Sequence, residues 1–232
     1  MVTASKRCAL ALAAALVVTP LAAADLTAPV EPLPPPPPTF FVHAGALGAF
    51  FQTNAQPAGG GLFLTENIAI RPVYTLALEA GYFITPNLAI ALMTAVPPVL
   101  HFKATGFPQT AAYGSNLLGS ARAGPIIGLL QYHFTQFGAI QPYAGAGVGY
   151  GINFGNISDG ILANFSLDQN FGFVLQAGAD WMLTPNWGVF IDGKKVFLST
   201  DAQGFAIPGY IPLRSHITLD PWLASTGITF KY

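Results

Sequence analysis

Few residues in this chain have the types or spacing to do chemistry, and none of them forms a site by spacing alone. The four histidines, His43, His101, His133 and His216, have no metal-ligand spacing. The run Gly145-x-Gly147-x-Gly149 has the look of a dinucleotide loop. Its glycines repeat at a period of two with apolar residues between them, and no helix pattern follows, so small residues on one crowded strand face explain it better. Glu79 and Asp180 stand inside otherwise apolar alternating runs, with Arg71, Arg122 and Lys194 as available partners. Charges in a narrow, low-dielectric interior must pair or be hydrated. They read either as an internal salt-bridge network or as a path for protons or ions. No catalytic set, cofactor or metal is expected, and a formal charge of −1 argues against a nucleic-acid footprint.

The elements that would carry these groups are strands with one greasy side. Leu219 to Tyr232 (LDPWLASTGITFKY) puts Trp222, Ala224, Thr226, Ile228, Phe230 and Tyr232 on one face. Leu223, Ser225, Gly227, Thr229 and Lys231 fall on the other, a period of two. Closing strands of bacterial outer-membrane barrels end this way, with an aromatic residue at the periplasmic girdle. Gly227, Phe230 and Tyr232, with Ser225, also have the spacing of the C-terminal signal read by the barrel assembly machinery. Composition agrees: 52% of residues are hydrophobic and 8% charged, against roughly 25% charged in soluble domains.

Residues 1–24 have the pattern of a signal peptide. Lys6 and Arg7 precede the apolar run Ala9 to Leu21, and Ala22-Ala23-Ala24 supplies a cleavage pattern. Cleavage there removes Cys8 and leaves 7 basic against 10 acidic residues, a net of −3. Residues 25–39 then form a proline-rich periplasmic segment in which Pro29 to Pro38 is an extended spacer. Helical spans are not expected. The best candidate, Tyr74 to Leu100, is interrupted by Glu79, Gly81, Pro86 and Pro97-Pro98, whereas a spanning helix needs about 20 consecutive apolar residues.

From residue 40 to 232 the pattern predicts an all-β, eight-stranded antiparallel up-and-down transmembrane barrel. The runs are Phe40 to Phe51, Ile70 to Ile84, Asn87 to Val96, Gly119 to Phe134, Ile140 to Phe154, Asn170 to Leu183, Asn186 to Ser199 and the closing strand. The seventh alternates poorly around Asp192-Gly193-Lys194-Lys195, and its faces stay unassigned. Short connections at Thr85-Pro86-Asn87, Thr135 to Ala139 and Thr184-Pro185-Asn186 alternate with long ones at Gln52 to Ala69, Pro97 to Leu118, Gly155 to Gln169 and Thr200 to His216. Short periplasmic turns and long external loops mark an outer-membrane barrel and put both termini on the periplasmic side. Phe40, Phe41, Tyr82, Phe83, Tyr132, Phe134, Tyr143, Trp181, Trp187, Phe230 and Tyr232 gather near the short turns, as a girdle would.

An eight-stranded barrel has room for side chains or one small ligand, which rules out a wide aqueous pore. Parity puts Met93, Pro125, Ile127, Leu129 and Leu223 inside, more apolar than a porin lumen. Pro97, Pro98, Pro125 and Pro221 cannot donate a ladder hydrogen bond. They mark either strand ends or places where pairing parts and a lateral opening forms.

Several stretches resemble the outer membrane protein W family, which includes alkane-uptake proteins. They are Ile84 to Gly106, Leu129 to Phe134, Gln141 to Phe154, Asn170 to Thr200, and the closing strand with Asp220-Pro221-Trp222. The proline spacer, the terminal tyrosine and the loops depart from that family. The resemblance implies a narrow apolar lumen entered from outside, with small hydrophobic solutes leaving sideways into outer-membrane lipid. The alternative is a structural or surface-interaction barrel with a closed lumen and loops for adhesion or phage contact. Lipid A deacylases are also eight-stranded barrels and use a His/Ser/Glu set. Here His133 and Thr135 lie beside a periplasmic turn, away from the outer leaflet, and no serine with a nearby histidine and acid is evident on the other strands.

Overall fold

A strand that alternates large apolar with small or polar residues must send one set to each face. In this chain the large apolar set faces outward. The structure, a computed structural model, describes residues 39–57, 68–104, 115–206 and 211–232. The expected signal peptide (1–24) and the proline-rich segment (25–39), apart from Thr39, lie outside the described residues.

The strands are β1 (Phe40–Phe50), β2 (Asn54–Pro57), β3 (Ile68–Ile70), β4 (Val73–Phe83), β5 (Leu88–Ala95), β6 (Val99–Ala104) and β7 (Leu117–His133). They continue as β8 (Ile140–Ile157), β9 (Leu162–Leu167), β10 (Phe171–Met182), β11 (Trp187–Phe197), β12 (Ser199–Ala206), β13 (Ile211–Thr218) and β14 (Trp222–Lys231). Eight of them close a ring in the order β1-β4-β5-β7-β8-β10-β11-β14, with β14 returning to β1. Every pairing around the ring is antiparallel. These strands match the eight alternating runs of the sequence.

The seam between first and last strands is held from Phe41↔Lys231 to Phe50↔Trp222. It is finished by Tyr232 N–H donating to the Phe40 carbonyl (3.0 Å). Gly45 and Gly227 face each other across it, and a Cβ built on Gly227 would strike the Ala44 carbonyl and the Gly45 backbone. That close approach requires glycine at position 227.

The wall is inverted relative to a soluble protein. Tyr74, Leu76, Phe171, Phe173, Ile191 and Ile228 are all half or more exposed, while Glu79, Asp180, Asp192 and Lys194 are buried. Such a continuous apolar exterior needs lipid as its solvent. At the short-turn end Trp187 packs on Phe230 with ring centres 4.7 Å apart, and Phe40 packs on Tyr232 at 5.5 Å.

The two Thr-Pro-Asn turns use one device twice. Thr85 Oγ1 accepts the Leu88 N–H (3.0 Å), and Asn87 Nδ2 donates across to the His133 carbonyl (2.8 Å). Thr184 Oγ1 likewise accepts the Trp187 N–H (2.9 Å), and Asn186 Nδ2 donates to the Lys231 carbonyl (2.7 Å). Each turn therefore caps itself and ties down the neighbouring strand.

The long connections carry more order than their sequences announce. β2, β13, β12 and β9 form a second, four-stranded sheet, while β3 pairs with β6, which lies on β7. Ile68, Leu100, Phe102, Leu118, Phe165 and Ile217 are buried there in a core of their own. Short strands with two or three inward apolar residues are too brief to show a clear period, so they read as loops.

Candidate solute cavity over a charged floor

Inward-facing side chains divide the ring into two storeys. The lower one, toward the short turns, is filled and polar. Glu79 on β4 and Asp180 on β10 are both there, with His43 from β1 between them. His43 Nε2 lies 2.9 Å from Asp180 Oδ1, and Nδ1 lies 3.6 Å from Glu79 Oε1. Lys194 Nζ bridges Glu79 (2.8 Å) and Asp192 (2.5 Å) from β11, and Lys231 Nζ reaches Asp180 at 2.7 Å.

Neutral donors complete the set. Gln131 Nε2 donates to Glu79 Oε1 (2.7 Å), and Gln176 Nε2 to Asp192 Oδ2 (2.7 Å). Tyr143 OH also donates to Asp192 Oδ2 (3.1 Å). Gly145 leaves the room these amides occupy, because a Cβ there would meet Gln131 and Gln176 at about 3 Å. Three carboxylates face two ammonium groups, and His43 is placed to supply the third positive charge. Buried charges persist only when paired in this way. Beneath them Phe41, Phe83, His133 and Tyr143 close an aromatic layer, with His133 about 5 Å from each of the other rings.

The partners differ in part from those the sequence suggested. Lys194 is in the cluster. Arg71 and Arg122 are exposed on the outside and make no ion pair among the described residues. Arg71 lies between β3 and β4, and Arg122 in the part of β7 that pairs with β6, both at the long-connection end and away from the floor. His43, Asp192 and Lys231 were missed. The signal for Asp192 and Lys194 was present as the broken alternation of β11, whose inward set is Gly188, Phe190, Asp192, Lys194 and Val196. A charge on the inner face erased the hydrophobic period.

The upper storey is apolar and holds a cavity of ≈ 130 Å³. Leu47 and Ala49 of β1, Ala95 of β5, Ile127 of β7, Val196 of β11 and Leu223 of β14 line it, with Leu100, Leu198 and Leu219 from the connections. Thr75, Asn153, Asp168, Asn170 and Thr200 supply the polar part of the lining. Of the residues that parity turned inward, Pro125, Ile127 and Leu223 line this cavity. Met93 and Leu129 are buried in the same apolar cluster without lining it. Met93 borders a void of ≈ 10 Å³ shared with His43, Glu79, Phe190, Lys194 and Ser225. That is room for about one water molecule. The lumen therefore combines an apolar chamber above with a filled interior below.

The wall beside the chamber has a defect in its hydrogen-bond ladder. β5 pairs with β7 up to Thr94↔Ile126, and pairing resumes at Val99↔Arg122 between β6 and β7. Between those registers, Ala123 N–H donates to the Pro98 carbonyl (3.3 Å) and Thr94 Oγ1 to the Pro125 carbonyl (3.2 Å). Pro97, Pro98 and Pro125 occupy this interval, where their missing N–H groups remove ladder donors. Pro221 behaves differently: its carbonyl accepts the Val196 N–H (3.0 Å), and pairing continues.

One His/Ser/acid group does assemble on the long-connection side. His101 Nδ1 lies 2.7 Å from Ser120 Oγ, which donates to Asp159 Oδ2 (2.9 Å). Serine stands in the middle, so its one proton goes to the acid, and its hydroxyl is buried. In nucleophilic catalysis the histidine stands between acid and serine. This order gives the histidine no proton to accept from serine.

Comparison with known proteins agrees with this architecture. Residues 39–232 match the OmpW family. The chain is 33% identical to the uncharacterized outer-membrane protein y4mB of Sinorhizobium fredii, over 97% of this chain and 96% of that one. It is 31% identical to the dibenzothiophene metabolism operon protein PahQ of Pseudomonas aeruginosa, over 79% of this chain and 80% of that one. The crystal structure of the outer membrane protein OprG from Pseudomonas aeruginosa superposes with a TM-score of 0.75 at 19% identity, covering 84% of this chain and 96% of that one. This chain belongs to the OmpW family and is an eight-stranded β-barrel of the Gram-negative outer membrane.

Proposed function

We propose that the barrel gives small hydrophobic molecules passive passage from the cell surface into the membrane. A solute enters the apolar chamber from the long-connection side, meets the charged floor, and leaves sideways through the wall at Pro97, Pro98 and Pro125. The observation that carries this reading is an apolar chamber lying directly beside a broken ladder and above an ion-paired floor. Its volume, ≈ 130 Å³, is close to the roughly 150 Å³ of an engineered apolar cavity that stays dry and binds benzene. One small apolar molecule fits on that scale. A relative named for dibenzothiophene metabolism, an apolar aromatic context, points the same way. The floor offers such a solute no favourable route, because passing it would break buried ion pairs.

The test is uptake of a small aromatic hydrocarbon into liposomes with and without the full-length protein. Uptake should require the protein. It should fall when Val96→Cys and Gly124→Cys, which stand opposite each other on the outer face, are oxidised to a disulfide across the ladder break, and return on reduction. Equal uptake by empty and protein-bearing liposomes would sink the proposal. Uptake indifferent to the disulfide would leave the chamber but remove the lateral exit.

A further inference from the structure

Lys194 and Lys195 are neighbours in sequence on opposite faces of β11. Lys194 faces the floor. Lys195 faces outward, and the other outward residues of β10, β11 and β14 are uncharged. Its cross-strand neighbours are Leu175 on β10 and Trp222 on β14. The ammonium stands 5.3 Å from the Trp222 ring centre and 5.7 Å from that of Phe197. It donates to Gln52 Oε1 (2.9 Å) and to the Asp220 carbonyl (2.6 Å). The Asp220 carboxylate is turned elsewhere, with Oδ1 accepting the Leu198 N–H (2.9 Å). Among the described residues no carboxylate pairs with Lys195.

The side chain is thus fixed by two neutral oxygens and two aromatic faces, with no carboxylate set against its charge among the described residues. Ammonium carries three donors, and two have partners among the described residues. Its height matters. Trp222, Phe197, Phe50 and Tyr74 are exposed around it at the end of the wall next to the long connections. Such an aromatic girdle marks the level where acyl chains give way to head groups. The anions available to a wall-facing cation at that level are lipid phosphates, and lysine binds phosphate as a point charge.

We propose that Lys195 is a binding site for the phosphate of an outer-leaflet lipid head group, with Trp222 and Phe197 flanking the top of its acyl chains. The site is on the barrel exterior and does not depend on passage through the lumen.

The experiment uses the full-length protein refolded in phosphatidylcholine vesicles and titrated with bisphosphorylated lipid A. Binding is read by native mass spectrometry and by the rise in the temperature at which the heat-modifiable band unfolds. Wild type and Lys195→Arg should both bind and be stabilised. Lys195→Gln should bind roughly tenfold more weakly, the loss of one charge-assisted contact, and unfold as wild type does in phosphatidylcholine alone. Lys195-dependent binding of phosphatidylglycerol extends the site to phosphodiester lipids. Inorganic phosphate binding with the same Lys195 dependence overturns the lipid assignment. So does a Lys195→Gln protein that binds lipid A like wild type, or one that is weaker in phosphatidylcholine yet gains the same increment from lipid A. Lys195 would then be a clamp between Gln52 and Asp220.

Discussion

The two storeys of this lumen are built from the same eight strands yet obey opposite rules. In the lower one side chains fill the ring but for room for about one water molecule, and charges from β1, β4, β10, β11 and β14 converge within hydrogen-bonding distance. In the upper one the lining is mostly aliphatic and does not meet across the ring, so a chamber remains. Charged groups demand specific partners, and an unpaired one in a low-dielectric interior is costly. Aliphatic groups tolerate space at a smaller cost that scales with the empty volume. The floor is therefore a rigid, exacting structure and the chamber a permissive one. The solute passage proposed above needs that division, a permissive chamber over a filled base.

The largest expected effect comes from cutting into the base at its seam. Deleting Phe230 to Tyr232 removes the Trp187 and Phe40 ring contacts, the Lys231 partner of Asp180 and the final backbone bonds to β1. It also removes two of the three residues, with Gly227, that we propose as the assembly signal. Cells expressing this variant should show no heat-modifiable barrel in the outer membrane fraction. A normal band would mean that neither the signal nor the girdle is needed.

A single charge is the next step down. Lys194→Met strips the ammonium from Glu79 and Asp192 together and should lower stability by about 3–5 kcal/mol, measured as the urea midpoint of the gel shift. Adding Glu79→Gln restores the balance of charge and should recover part of that loss. If the single variant unfolds like the parent, the floor is not the exacting half.

The smallest effect on stability should come from the chamber. Ile127→Trp fills it at an overpacking cost of about 1–3 kcal/mol, yet should reduce hydrocarbon uptake to the level of empty liposomes. Uptake at the parental rate in a folded Ile127→Trp barrel would show that solute travels elsewhere.

Much of this was legible in the chain. Alternation around Tyr74 to Tyr82, Phe171 to Trp181 and Trp222 to Tyr232 identifies the wall, because a period of two has one structural meaning when the outward residues are greasy. Turn residues at Thr85-Pro86-Asn87 and Thr184-Pro185-Asn186 locate the short end. Parity turns Glu79, Asp180, Ile127 and Leu223 inward without any knowledge of their neighbours. These are local properties, written within a few residues of each other.

What the tertiary structure decided is which inward residues meet. Asp180 finds His43 and Lys231, each from a distant strand, while Arg71 and Arg122 are left at the rim. Ring closure and strand stagger set those encounters, and neither is encoded in the spacing along one strand. The same closure places Pro97, Pro98 and Pro125 in one gap of one ladder, although twenty-odd residues separate them in sequence. Outside β11, sequence determined the face of each wall residue; the curvature of the closed sheet determined its company.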